Sequence, residues 1–166
     1  MTRAVQTARH ERWYTQKHDS SDHGTKKIEN NLDQPVNNSP AYPSDAPFTE
    51  WMGVIEIVSK PGEVHLQVKQ RHDLNNRRQL VHGGVLATVL DSAMARAART
   101  HGPGVEFAGT VDLHVQFMLP AEGTLVAMGR VESSSRSLAF CRGEVRNQAG
   151  VLVASATATM RLRGAG

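Results

Sequence analysis

The sequence predicts an α+β domain in which a mostly antiparallel sheet is laid over one long helix. Apolar residues recur at helical spacing over one stretch, from about Val85 to Thr100. Elsewhere between Glu63 and Met160 the period drops to two, the signature of strands. Turn residues separate the period-two runs and link them as hairpins.

Pro61 and Gly62 supply a turn, after which Val64, Leu66 and Val68 alternate with Glu63, His65, Gln67 and Lys69. The helix follows, with Val85, Leu86, Val89, Ala93, Met94 and Ala97 at core-like spacing. Val111, Leu113, Val115 and Phe117 then alternate with Thr110, Asp112, His114 and Gln116, so one face of that strand suits a core. Pro120 to Gly123 make the next turn and Asn147 to Gly150 another. Finally Leu152, Ala154, Ala156, Ala158 and Met160 alternate with Val153, Ser155, Thr157 and Thr159. No internal repeat and no metal-ligand spacing stands out.

The stretch NNRRQLVHGGVLATVLDSA, beginning at Asn75, carries most of the functional information. Two glycines, Gly83 and Gly84, sit directly before the apolar run. They let a ligand approach the backbone closely, and the first amides of a helix have no intrahelical partner. Such a terminus attracts developing negative charge, as on an acyl oxygen under attack. A plain glycine-bearing loop that opens a helix gives the same pattern. On the helical wheel Thr88, Asp91, Ser92, Ala95 and Arg99 form a narrow polar or small stripe. Asp91 is then either a surface carboxylate paired with Arg96 or Arg99, or one held in a partly dry cleft.

Composition bounds the rest. The chain has 166 residues, enough for one ordinary domain. Residues 1–44 are rich in charge, His, Asn, Ser and Pro, which predicts a flexible extension unable to build a core, with the folded domain over 45–166. No run reaches the length of a bilayer span, so a soluble protein with no membrane partner is expected. A net charge of +3 suits an anionic ligand without requiring one. Cys141 is the sole cysteine, which excludes an intrachain disulfide and fits a reducing, cytoplasmic compartment. Beside Phe140 in a strand-like run, it reads as a small buried hydrophobe rather than a nucleophile.

These residues resemble the hotdog-fold acyl-CoA thioesterases, in the branch named for phenylacetate degradation (PaaI-type). The likeness covers about Pro47 to Arg163. It is carried by Asn76, His82 with Gly83 and Gly84, and Asp91, at the separations found in that branch. TVDLHVQFMLPAEGTL, from Thr110 to Leu125, is similar to the family's strand, Pro-Ala turn and next strand, and LAFCRGEVRNQAGVLVASATATM to its last strand pair.

The resemblance implies a hotdog fold, a sheet wrapped around a central helix, and hydrolysis of acyl-CoA thioesters without a cofactor. It implies that the Gly83 amide binds the thioester carbonyl and that Asp91 acts as general base or nucleophile. Asn76 would orient water or fix the carboxylate, His82 would hold the loop or contact the leaving sulfur, and Thr110 would help position water. It also implies a homodimer, or a tetramer of two dimers, in which Asp91 of one subunit faces Asn76, His82 and Gly83 of the other. Arg77, Arg78 and Arg136 are the candidates for CoA phosphate. Aryl and medium-chain acyl groups are both consistent with Val85, Met94, Phe117 and Met118. The alternative is a non-catalytic acyl-CoA sensor. Hotdog regulators usually add a DNA-binding helix pair, for which residues 1–44 lack an apolar period, so no nucleic-acid partner is expected. A hotdog hydratase lacks support because its acid and His pair is not evident.

Overall fold

The computed structural model describes residues 46–164, and the extension expected over 1–44 lies outside the described residues. Helix α1 (Pro47–Trp51) leads into strands β1 (Ile55–Lys60) and β2 (Glu63–Lys69). A loop with one 3-10 turn, His72–Leu74, precedes helix α2 (Gly83–Thr100). Strands β3 (Val105–Phe117), β4 (Thr124–Ser134), β5 (Leu138–Asn147) and β6 (Leu152–Gly164) complete the chain.

The six strands form one sheet in the order β1-β2-β4-β5-β6-β3, and every neighbouring pair is antiparallel. Helix α2 packs against the inner side of this curled sheet, as expected from the two periods. Its buried residues include all six assigned to the core, with Leu90 and Ala98 added. Val64, Leu66, Leu125, Val145 and Met160 reach it from the sheet. Burying each such side chain stabilises the fold by about 1.5–3 kcal/mol.

Two glycines let the helix sit this close. Gly129 on β4 faces Gly143 on β5 across the ladder. A Cβ on Gly129 would lie 2.5 Å from the Ala93 oxygen and the Met94 nitrogen, and closer still to the Ala93 carbonyl carbon. A Cβ on Gly143 would lie 2.9 Å from Leu90 Cδ2. The pair makes a dent in the sheet that receives the Ala93–Met94 backbone.

The structure corrects three expectations. Val111 does not share the core face with Leu113 and Val115: it is 62% exposed, because the β3–β6 register slips between Thr110 and Asp112. One extra residue in β3 is a bulge, and it reverses the alternation on one side of itself. Near the start of β6 a slip opposite Val145 and Arg146 buries Val153 fully, whereas Leu152 is half-buried. The helix begins at Gly83, so both glycines belong to its first turn. Neither α1 nor β1 was expected; Ile55 and Ile57 lie on the exposed face of the edge strand β1.

Candidate functional site

The loop from Gln70 to His82 is a small closed structure. Asn75 and Val81 form a single antiparallel bridge. Between them Asn76 organises a tight turn: its N–H donates to the Leu80 oxygen (2.7 Å), its carbonyl accepts from the Gln79 N–H (2.9 Å), and its Oδ1 accepts from the Arg78 N–H (2.8 Å). With Oδ1 engaged, the Nδ2 of Asn76 donates to no group among the described residues and is free for a ligand. Arg77 and Arg78 stand exposed at the tip of this turn.

The loop ends by delivering α2. The His82 N–H donates to the Leu74 oxygen (2.8 Å), and the His82 side chain caps the helix by accepting the Gly84 N–H at Nδ1 (2.9 Å). A ring nitrogen that accepts in this way holds its lone pair there, with any proton of the neutral ring on Nε2. The Gly83 N–H makes no hydrogen bond among the described residues. It is therefore an unused donor at the positive end of an 18-residue helix. Phe117 packs beside Gly83, for a Cβ at Gly83 would stand 3.4 Å from two carbons of the Phe117 ring. A Cβ at Gly84 would press on His82 Nδ1 at 3.0 Å, so of the two glycines Gly84 is the one with a crowding neighbour.

Two turns along the helix, Asp91 is half-buried and accepts a hydrogen bond from the Thr110 hydroxyl at 2.6 Å. A hydroxyl bonded to a carboxylate at that length is charge-assisted and fixes one carboxylate oxygen, leaving the other open. The bulge after Thr110 makes this possible. It turns Thr110 to the side of the sheet that faces the helix, where its hydroxyl also lies 3.4 Å from Met160 Sδ. Neither arginine weighed as a partner for Asp91 takes that place: Arg96 reaches Glu56 across to β1 at 3.0 Å, and Arg99 is exposed.

A cleft of about 380 Å³ opens beside the helix start. Phe48, Trp51, Met52, Leu74 and Val85 form its apolar part, and His82, Gly84 and Thr88 its polar edge. Phe48 and Trp51 stack with ring centroids 5.9 Å apart, and the Arg71 guanidinium lies 5.2 Å from the centre of the Trp51 ring. Arg71 also binds Asp73 at 2.7 Å and so holds the Asp73 carboxyl below the usual carboxylate range. The sequence reading missed this aromatic wall, whose signal was only two rings three positions apart.

Arg136 is exposed in the turn between β4 and β5. Cys141 is buried on β5 with its thiol 3.9 Å from the Met94 oxygen, and burial, aided by the Glu132 charge, pushes that thiol up to about 11. Among the described residues no cluster of His, Cys, Asp and Glu could hold a metal ion. No helix there is long and apolar enough to cross a membrane.

Residues 79–154 match the family model described as the thioesterase superfamily. Human acyl-coenzyme A thioesterase 13 is 33% identical over 122 residues, which span 69% of this chain and 84% of that protein. A presumed esterase of Halobacterium salinarum is 33% identical over 92 residues, 52% of this chain and 61% of its own length. Among solved structures, a thioesterase family protein from Silicibacter pomeroyi superposes with a TM-score of 0.68 at 26% identity, over 72% of this chain and 91% of that one. A variant of the phenylacetic acid degradation protein PaaI from Thermus thermophilus gives 0.64 at 30%, over 70% and 98%.

Proposed function

The chain belongs to the thioesterase superfamily, with its hotdog fold, and so to the thioester hydrolases; from that premise we propose that it cleaves aryl or medium-chain acyl-CoA to the free acid and CoA. The observation that carries the reading is the pairing of a Thr110-fixed Asp91 carboxylate with a free amide at Gly83 on one helix. Those are the two devices thioester hydrolysis needs, a base for water and a donor for the oxyanion.

The two cannot serve one carbonyl within a single chain. Eight residues of helix separate Gly83 from Asp91, about 12 Å at 1.5 Å per residue. A reacting carbonyl must lie about 3 Å from the amide and within one water of the carboxylate, a span far short of that separation. A second copy, its helix running antiparallel, brings the partner's Gly83 opposite this chain's Asp91. Strand β3 is a sheet edge with unpaired backbone groups and exposed Val111 and Phe117, and it supplies the surface for such a pairing. The functional unit is then a homodimer, alone or paired again into a tetramer.

In this unit the partner's Gly83 N–H polarises the thioester carbonyl. The free oxygen of Asp91 takes a proton from water as the water oxygen attacks the carbonyl carbon. The tetrahedral oxyanion rests on the amide, then collapses and expels the CoA thiolate, which takes up the proton that Asp91 drew from the water. Thr110 holds Asp91, and the Nδ2 of the partner's Asn76 aligns the water or the carboxylate. His82 acts as the helix cap that keeps Gly83 in place. The acyl group extends into the cleft lined by Phe48, Trp51 and Val85, while Arg77, Arg78 and Arg136 meet CoA phosphates. A reducing, cytoplasmic setting suits the lone Cys141.

Release of free CoA from a panel of aryl and fatty acyl-CoAs tests the reading, with Asp91→Ala beside the wild type and the oligomer measured for both. Saturable turnover, lowered at least about a hundredfold in the variant, supports it. Tight acyl-CoA binding by the wild type with no CoA release would replace it with a sensor.

A further inference from the structure

We propose that Gln70 is a positioning residue that clamps the loop presenting Asn76, His82 and Gly83; its effect on turnover rests on the thioesterase reading above, its effect on the loop does not. Gln70 follows the last residue of β2 and is half-buried. Its side-chain amide makes three hydrogen bonds, two to its own loop and one to the β3–β4 turn. Nε2 donates to Asn75 Oδ1 at 3.0 Å and to the Gln79 oxygen at 2.9 Å, and Oε1 accepts from the Gly123 N–H at 2.8 Å. The backbone of Gln70 adds a fourth link, its N–H donating to the Gly123 oxygen at 2.8 Å. The orientation of the amide is fixed by its neighbours, since a backbone carbonyl can only accept and a backbone N–H can only donate.

Gln79 shows what the clamp holds. Its φ of 62° is the only positive value at a non-glycine among the described residues. A side chain disfavours that conformation, which persists only where the surroundings enforce it. The Gln79 carbonyl is held by Gln70, and the Gln79 N–H closes the turn on the Asn76 carbonyl. On the other side of the loop, the Val81 N–H donates to the Ala121 oxygen at 2.9 Å. The β3–β4 turn that carries Ala121 also carries Gly123, so Gln70 ties together both walls of the loop. From Val81 the chain passes directly to His82 and Gly83. Gln70 makes no approach to the reacting atoms and acts through these residues alone.

The test is Gln70→Leu, which keeps the bulk of the side chain and removes all three of its hydrogen bonds. Backbone amide exchange is read across the folded full-length chain, and kcat and KM on the best acyl-CoA of the panel. Expected are exchange at 75–83 faster by at least tenfold with 89–98 unchanged, kcat lower by at least tenfold, and KM within threefold. Adding Gln79→Gly should then recover at least threefold in kcat, because glycine adopts the positive φ without a clamp. Unchanged exchange at 75–83, or equal loosening of 75–83 and 89–98, would overturn the proposal whether or not the wild type turns over. Faster exchange confined to the loop beside a wild type that releases no CoA would uphold the clamp while removing the thioesterase reading.

Discussion

Replacing Gly129 with alanine tests how the fold holds the site. The added Cβ would stand 2.5 Å from the Ala93 oxygen and the Met94 nitrogen, about 1 Å short of an ordinary contact. Both sides of the clash are backbone, so no side chain can swing away, and α2 must lift from the sheet. Overpacking costs about 1–3 kcal/mol, and a clash between two backbones belongs near the upper figure. For a domain of this size about 3 kcal/mol lowers Tm by roughly 10–15 °C. The displacement also reaches the site, because Ala93 lies two residues beyond Asp91. A shift of about 1 Å stretches the 2.6 Å bond between Thr110 and Asp91 past hydrogen-bonding length. A misplacement of that size costs about a hundredfold in rate. The assay pairs thermal unfolding with CoA release measured well below Tm, and Gly102→Ala serves as control, since a Cβ there meets nothing within 4 Å. A Gly129→Ala protein that melts within about 3 °C of wild type and keeps its turnover would refute the close seating of helix on sheet.

Thr110→Val keeps the shape and removes the donor to Asp91, so turnover should fall about tenfold or more with Tm nearly unchanged, and Thr110→Ser should keep most of the activity; equal rates for Val and wild type would remove Thr110 from the site. The Cys141 thiol is raised to about 11, which keeps it protonated in the folded protein while an unfolded chain begins to ionise it near pH 9. Its contribution to stability is therefore full below about pH 9 and is lost as pH rises toward 11, so Cys141→Ala should flatten that part of a pH–stability curve measured in denaturant. The same burial predicts that iodoacetamide labels Cys141 at pH 8 only after unfolding; labelling of the native protein would contradict it. Val111→Glu puts a charge on the exposed β3 edge and should shift the oligomer to monomer by light scattering, with turnover lost in parallel; an intact, active dimer would place the interface elsewhere.

The fold was legible where burial is one-sided. Val64, Leu66 and Val68 alternate cleanly because β2 covers the helix with one face only, and α2 showed its period because sheet covers much of it. Legibility failed where geometry departs from a period. The bulge beside Val111 is one inserted residue, and a period-two count passes through it without noticing. Helix α1 and strand β1 are short and largely exposed, so their apolar residues mark no buried face. Within the site, the helix start and the two glycines could be read locally. The meeting of Asp91 and Thr110, 19 residues apart in sequence, depends on a register slip and was not foreseen; the resemblance gave Thr110 only as a group that helps position water. Gln70 left no trace at all, because its partners at 75 and 79 lie in a loop and that at 123 in the β3–β4 turn, neither of which has a period.

The slip in β3 also bears on how the chain avoids sticking to the wrong neighbour. A strand of 13 residues at the end of a sheet is an open template onto which any extended peptide could add, the first step of aggregation. An interrupted ladder bends and twists such an edge, so a flat, regular strand no longer fits along its whole length. A copy of the same chain carries the same interruption, and two bent edges related by a twofold axis can complement each other where a straight one cannot. The residue that turns Thr110 toward Asp91 thereby also screens what the edge admits, which ties solubility to the same local irregularity that arranges the carboxylate.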